Sequence, residues 1–173
     1  MKNRFIHPSA VIEPGAKLAN KVTIGPFRYI GADVTLHSGV EIKSHVVITG
    51  KTEIEQETVV YPFAVIGEIP QDLKFNGEKT SLKIGKRNQI RENVTINVGT
   101  AGGGGQTSVG NNCLFMTGSH VAHDAKIGDN VIIANCGAVA GHCIIEDDVI
   151  IGGLSGIHQF VRVGRGAIIG AVT

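Results

Sequence analysis

The stretch Val121-Ala-His-Asp-Ala-Lys-Ile127-Gly-Asp-Asn-Val-Ile-Ile133-Ala-Asn-Cys-Gly-Ala-Val139-Ala-Gly-His-Cys-Ile-Ile145 sets an aliphatic residue on every sixth position. A helix would need apolar spacing near 3.6 residues, and six does not fit it. The beat runs outward in both directions. Towards the N-terminus it occupies Ile6, Ile12, Leu18, Ile24, Ile30, Leu36, Ile42, Ile48, Ile54, Val60 and Ile66, then Ile84, Ile90, Ile96 and Val109. Towards the C-terminus it continues at Ile151, Ile157, Val163 and Ile169, and Phe115 is the one anchor that is not aliphatic. Four residues after most anchors stands a small or β-branched residue, such as Ala10, Val22, Val40, Thr58, Cys113, Ala125, Cys143 and Ser155. Gly often follows the anchor directly, as in Ile24-Gly25, Ile127-Gly128 and Ile151-Gly152. Large and small inward residues alternating around a Gly-tolerant turn suit short strands and tight corners.

Fixed short periods mark repeat architectures, and this one matches the hexapeptide β-helix. The fold class expected is all-β, a parallel β-helix of triangular section spanning residues 1–173 as one domain, and the resemblance to hexapeptide prisms implies that it is left-handed. Three hexapeptides close one coil, so residue i lies beneath residue i+18. Eight or nine coils at roughly 4.8 Å each give a prism on the order of 40 Å long. Two stretches interrupt the beat, at about 69–82 and 101–108, and insertions into a solenoid leave as loops on one face, often the binding face. Arg28 stands where a small inward residue belongs. It either snorkels out of an end coil or marks a distorted register.

Composition narrows the function classes. The 173 residues carry a formal charge of +1, which gives no general reason to expect nucleic-acid binding. Aromatics are 5% and Trp is absent, as a thin aliphatic prism requires. The opening Met1-Lys2-Asn3-Arg4 leads straight into repeat, and no apolar run approaches membrane-spanning length. Cys113 and Cys143 fall at inward slots, the expectation for buried thiols in a reducing cytoplasm. No Cys-x-x-Cys pair is present, which argues against a cysteine zinc site.

The chemistry gathers late in the chain. His120, His123, His142 and His158 fall on successive coils near one corner, because 123 plus 18 is Gly141, beside His142, and 142 plus 18 is Phe160, two past His158. His7, His37 and His45 are scattered elsewhere. Three readings fit the cluster. It is polar decoration of turns around a satisfied core histidine, a metal site built on imidazole, or a general base. The last is favoured by Asp124 next to His123, since a carboxylate beside imidazole fixes its tautomer. The glycine run Gly102 to Gly105 lacks the Gly-Lys-Ser/Thr continuation of a phosphate loop, and Gly164-x-Gly166 fails the dinucleotide fingerprint. The run reads as a flexible surface loop.

Several motifs are more specific than the hexapeptides. The run Gly67-Glu-Ile-Pro-Gln71-Asp72-Leu-Lys74-Phe-Asn-Gly-Glu78 strongly resembles the characteristic loop of the UDP-N-acetylglucosamine O-acyltransferases of lipid A synthesis. So do Ile90-Arg-Glu-Asn-Val-Thr-Ile-Asn97, His120-Val-Ala-His123-Asp124, Ala140-Gly141-His142 and Gly156-Ile-His158-Gln159-Phe160. The resemblance implies transfer of a 3-hydroxyacyl group from acyl carrier protein to the 3-hydroxyl of UDP-N-acetylglucosamine. It implies His123 as general base, Asp124 as its support and the Gly141 N–H as oxyanion donor. It also implies substrate contacts from Gln71, Asp72, Lys74, His120, His142, His158 and Gln159, and an acyl-length ruler at Ala171. A cytoplasmic homotrimer with clefts between subunits is implied, with no metal and no cofactor beyond the carrier's phosphopantetheine. The sister family that N-acylates the next lipid A intermediate has an extra domain before its prism, and coenzyme-A-dependent sugar acetyltransferases lack the Gln71-to-Lys74 loop.

Against this pattern, Val98 replaces what is often a basic residue and Ala171 what is often Gly. The family also continues into a helical C-terminal region, whereas the beat is still running at Thr173. A fragment or shortened form with little activity alone is therefore expected. The alternatives are a trimeric prism with a histidine-ligated zinc, resembling prism carbonic anhydrases, and a non-catalytic fragment.

Overall fold

The computed structural model describes residues 4–173. It consists of 25 strands, most of them two residues long, arranged as three parallel sheets of nine, eight and eight strands. Successive strands visit the three faces in strict rotation, so each face receives every third strand. Parallel pairing between consecutive strands is impossible across a tight corner, and pairing one coil later satisfies every ladder.

The register confirms the six-residue beat residue by residue. On the first face Ile6, Ile24, Ile42, Val60, Ile90, Phe115, Ile133, Ile151 and Ile169 stand in one column. The second face stacks Ile12, Ile30, Ile48, Ile66, Ile96, Val121, Val139 and Ile157. The third stacks Leu18, Leu36, Ile54, Ile84, Val109, Ile127, Ile145 and Val163. Their inward side chains, with Val22, Val34, Val40, Val94, Val131 and Val149, form one continuous core. Each buried Val, Leu or Ile contributes about 1.5–3 kcal/mol relative to an exposed one. Burial fades towards the first coil, where Ile6 is 36% exposed, because no coil lies beneath it among the described residues.

Corners are turned by residues in the left-handed region. Asp124, His142 and Phe160 have φ of 60°, 62° and 64° and stand one coil apart at the same corner. The His142 N–H donates to the His123 carbonyl and the Phe160 N–H to the Gly141 carbonyl, so the corner has its own ladder.

Both interruptions leave from the corner between the second and third faces. The first lies between strands Val65–Glu68 and Ser81–Ile84, the second between Thr95–Asn97 and Gln106–Val109. The insertions are therefore 69–80 and 98–105: the first ends two residues before the beat indicates, and the second both begins and ends three residues earlier. Leu82 and Thr107 already point inward, 1% and 0% exposed, so the strands begin before their anchors.

Two inward polar residues depart from the repeat. Arg28 is 4% exposed, so it does not snorkel, and the pairing of Tyr29–Ile30 on both sides shows no register distortion. Its Nε donates to the Lys43 carbonyl, and burial lowers its pKa to about 10 against a smaller opposing effect of Glu41. Gly25 is the residue that makes room, since a Cβ there would lie 2.3 Å from the guanidinium. Asn88 takes a small inward slot and is fully satisfied. Its amide donates to the Gly85 and Gly110 carbonyls and its oxygen accepts from the Cys113 N–H. Cys113 and Cys143 are buried as expected, whereas Cys136 is exposed.

Candidate active site

One corner gathers the expected site residues other than Ala171. In successive coils it presents the first insertion, the second insertion, His123-Asp124, Gly141-His142 and His158-Gln159-Phe160. The eighteen-residue ruler thus brings the four late histidines together, but at different slots of the corner. His120 sits on the strand His120–Val121, facing Thr95 on the coil below and Ala138 on the coil above. His123 and His142 are at the turn, and His158 follows the strand Gly156–Ile157.

His123 and Asp124 form a dyad. His123 Nδ1 lies 2.9 Å from Asp124 Oδ2, and both residues are buried, at 6% and 3% exposure. The carboxylate is held from the other side by Thr100. The Thr100 N–H donates to Asp124 Oδ1 at 2.9 Å and the Thr100 hydroxyl to Oδ2 at 2.6 Å. The Asp124 N–H in turn donates to the Thr107 hydroxyl at 2.8 Å. A carboxylate with these donors is an acceptor throughout, so Nδ1 of His123 carries the proton and Nε2 is left as the basic nitrogen. Among the described residues Nε2 has no hydrogen-bond partner, and the imidazole lines a cleft.

Gly141 stands directly above His123. A Cβ at that position would lie 2.6 Å from Cε1 and 2.7 Å from Nε2, so only Gly lets the backbone pass this close. Its N–H donates to no acceptor among the described residues. A free base nitrogen and a free backbone donor therefore face the same space.

That space is a cleft of about 430 Å³ lined by Gln71, Asn97, His120, His123, Gly141, His158 and Gln159, among others. A second cleft of about 280 Å³ is lined by Asp72, Lys74, Phe75, Glu78, Thr100, His142 and Phe160. The expected substrate residues are divided between the two. His142 belongs with Asp72 and Lys74 rather than with His120 and His158. Its ring stacks on Phe160 at 4.5 Å and meets His123 edge-on at 4.9 Å, so it forms a wall between the clefts. Ala171 is not brought to this corner of its own prism. It lies at the turn after Ile168–Ile169, between the first and second faces. A larger groove of about 560 Å³ on the third face alternates Lys17, Asp33, Lys51, Glu53 and Lys83 and contains no imidazole.

Burial, reinforced by the neighbouring His123, pushes the His120 pKa below its usual value, and its Nδ1 is 2.7 Å from the Thr95 hydroxyl. Glu78 is held below the usual carboxylate range by backbone N–H donors, one of them from Ala101, which ties the first insertion to the second. Asp124 Oδ2 lies 2.9 Å from His123 Nδ1 and 3.8 Å from His142 Nδ1, and the three residues offer ligand atoms within 4.8 Å of one another, a spacing a metal ion could use. The same Oδ2 already accepts two hydrogen bonds, so such an ion would displace the dyad.

The glycine run lies at the surface, with Ala101, Gly102 and Gly104 exposed, but its inner side has a defined packing partner. Ala101–Gly103 forms a single 3-10 turn that packs on Asp124, and a Cβ on Gly103 would lie 2.0 Å from the carboxyl carbon. Sequence reading missed Thr100, Thr107 and Asn97, and only Thr100's place at the mouth of the glycine run could have pointed to it.

Known proteins place this geometry. Residues 106–141 match the family model described as bacterial transferase hexapeptide (six repeats). An acyl-[acyl-carrier-protein]–UDP-N-acetylglucosamine O-acyltransferase of Rhizobium johnstonii is 51% identical over 97% of this chain, which spans 62% of that relative's length. The solved LpxA structure from Acinetobacter baumannii is 44% identical, with TM-score 0.97 over 98% of this chain and 66% of its own. The UDP-N-acetylglucosamine acyltransferase structure from Bacteroides fragilis is 41% identical, with TM-score 0.74 over 92% of this chain and 67% of its own. The prism is thus the left-handed parallel β-helix that the resemblance to hexapeptide prisms implied. On this fold and these identities, the chain belongs to the UDP-N-acetylglucosamine O-acyltransferase family.

Proposed function

We propose that this chain carries the catalytic centre for transfer of a 3-hydroxyacyl group from acyl carrier protein to the 3-hydroxyl of UDP-N-acetylglucosamine, in lipid A synthesis. The observation that carries the reading is the unpartnered Nε2 of His123 facing the same cleft as the unpartnered N–H of Gly141. His123 Nε2 takes the proton from the sugar hydroxyl as its oxygen attacks the thioester carbonyl. Asp124 stabilises the imidazolium that forms, and the Gly141 N–H donates to the oxyanion. Collapse expels the phosphopantetheine sulfur, which receives the proton from His123. Base catalysis of this kind contributes roughly 10²–10⁴ in rate, and one oxyanion donor about 3 kcal/mol. No covalent acyl-enzyme is needed.

Gln71, His120, His158 and Gln159 are assigned to the acyl and sugar end of the first cleft. Asp72, Lys74 and His142 are assigned to the polar end of the substrate in the second. A cytoplasmic homotrimer is part of the same reading. Leu73, at the tip of the first insertion, is fully exposed, as suits a loop that seats on a neighbouring prism. No helix among the described residues is long and apolar enough to cross a membrane.

The test is an acyl-transfer assay on wild type and His123→Ala with 3-hydroxyacyl carrier protein. Slow transfer by the wild type, in keeping with the little activity expected of this form alone, and a further loss of 10²-fold or more in the variant are expected; a variant retaining the wild-type rate removes His123 from the role. The spacing of His123, Asp124 and His142 supports a second reading, a metal-dependent activity. Stoichiometric zinc by elemental analysis, with activity abolished by chelation, would favour it.

A further inference from the structure

We propose that Thr100, at the start of the glycine-rich insertion, is a positioning residue that sets the catalytic dyad. The proposal rests on the reading of His123 as the base. Asp124 is joined to His123 by one hydrogen bond, but its own orientation is fixed from elsewhere. Thr100 binds both carboxylate oxygens at once, Oδ1 through its backbone N–H and Oδ2 through its hydroxyl. Thr100 is itself only 7% exposed, so water does not compete for these bonds. The Asp124 corner has a left-handed backbone, and its N–H is held by Thr107. The whole aspartate is thereby immobilised without reference to His123.

The glycines explain how Thr100 gets there. The N–H groups of Gly103 and Gly105 both donate to the Thr100 carbonyl, curling the strap back on itself. Gly99 and Gly103 then lie flat against the carboxylate, where added Cβ atoms would come within 2.8 Å of Oδ1 and 2.0 Å of Cγ. The strap is thus a cover that excludes water from the carboxylate and presents two donors to it. The Ala101 N–H bonds Glu78 Oε1 at 3.2 Å, which anchors the strap to the insertion that bears Asp72 and Lys74. Thr100 lies in the wall of the second cleft, but its polar groups are spent on Asp124. It acts through the dyad rather than on substrate.

The experiment compares Thr100→Val, which keeps the shape and backbone donor but loses the hydroxyl, with Thr100→Ser, which keeps both donors. Two readouts are taken on each full chain. One is the His123 Nδ1 proton resonance in ¹⁵N-histidine-labelled protein. The other is the split of the transfer rate into kcat and KM. Wild type and Thr100→Ser should show a downfield, slowly exchanging Nδ1 proton, and Thr100→Val should broaden or lose it. The kcat of Thr100→Val should fall about 10- to 100-fold with KM within twofold, and Thr100→Ser should restore it. A Thr100→Val protein that keeps the wild-type Nδ1 resonance overturns the proposal whatever the rate does. So does a loss in Thr100→Ser equal to that in Thr100→Val. If the wild type transfers no acyl group, the functional reading fails, while the Nδ1 resonance still decides whether Thr100 positions the dyad.

Discussion

Gly141→Ala separates the position of the proposed base, His123, from the supply of the proposed oxyanion donor. The substitution keeps the N–H, and residue 141 does not have a positive φ, so Ala meets no backbone penalty there. Its methyl would stand 2.6 Å from His123 Cε1 and 2.7 Å from Nε2. Ordinary contact begins near 3.4 Å, so the ring must recede by roughly 0.8 Å. The ring is not free to do so, because Nδ1 is tied at 2.9 Å to an aspartate that Thr100 holds on its far side. Moving the imidazole therefore stretches the dyad bond and draws Nε2 away from the sugar hydroxyl. A misplacement of about 1 Å costs on the order of 10²-fold in rate, or about 2.7 kcal/mol. The assay is steady-state acyl transfer with the carrier-bound donor, with kcat and KM resolved for both substrates. Gly164→Ala serves as control, since a Cβ there meets nothing within 4 Å and the residue is exposed. Gly141→Ala should lose about 10² in kcat with a melting temperature near that of the control. A kcat within threefold of wild type would refute the close approach of Gly141 to the base, and with it the shared cleft.

The remaining expectations concern the prism and its titrating groups. Ile96→Ala empties a fully buried slot in the second-face column and should cost about 2–5 kcal/mol in urea unfolding; a cost below 1 kcal/mol would show that the column relaxes around the gap. His120 has a folded pKa pushed below its usual value, first by burial and second by His123. The unfolded chain therefore takes up a proton near pH 6.5 that the folded chain refuses, so this part of the stability is present above about pH 6.5 and is lost as pH falls towards the folded value. His120→Gln should accordingly lose less stability than wild type between pH 7.5 and 5.0, and an identical loss counts against the assignment. Of the three cysteines, Cys136 is exposed, while burial raises the Cys113 thiol to about 11 and also raises Cys143. Native protein should release one equivalent of thiolate product with a disulfide reagent at pH 7.5 and three after denaturation; three fast equivalents in the native state would contradict the inward slots.

What the sequence made legible was everything that obeys the period. The columns through Ile24, Ile30 and Leu36 follow from the aliphatic beat alone, because a parallel coil admits only one register that keeps every anchor inside. The approach of His123 to Gly141 was legible for the same reason. Departures from the period were not. Arg28 was open to two readings, and neither holds: the guanidinium stays inside because Gly25 leaves the space and the Lys43 carbonyl accepts its proton. The division of the substrate residues into two clefts depends on the path of residues 69–80, which no repeat constrains. The glycine run looked mobile because glycine lowers the cost of every conformation equally. Its inner side packs on Asp124, where Thr100 and the carboxylate satisfy one another.

The same contrast explains why the second insertion is needed at all. Within the regular stack, the residue directly beneath Asp124 is Gln106, as the pairing of Ser108 with Lys126 requires. A side chain at that slot points away from the prism, and Gln106 is exposed. A plain coil therefore offers the aspartate no pair of donors and leaves its carboxylate open to solvent, where a charge is screened and free to turn. The carboxylate is met instead by Thr100, six residues upstream of that slot, and reaching it requires chain that leaves the coil and folds back over its own corner. The fold-back needs small residues on the inner side, because Gly99 and Gly103 touch the carboxylate itself. A repeat protein gains its rigidity from identical coils, and identical coils cannot surround one side chain from both sides. The interruption of the beat at 98–105 is what turns a stacked corner into an enclosed one, and the enclosed corner is the one that holds His123 and Asp124.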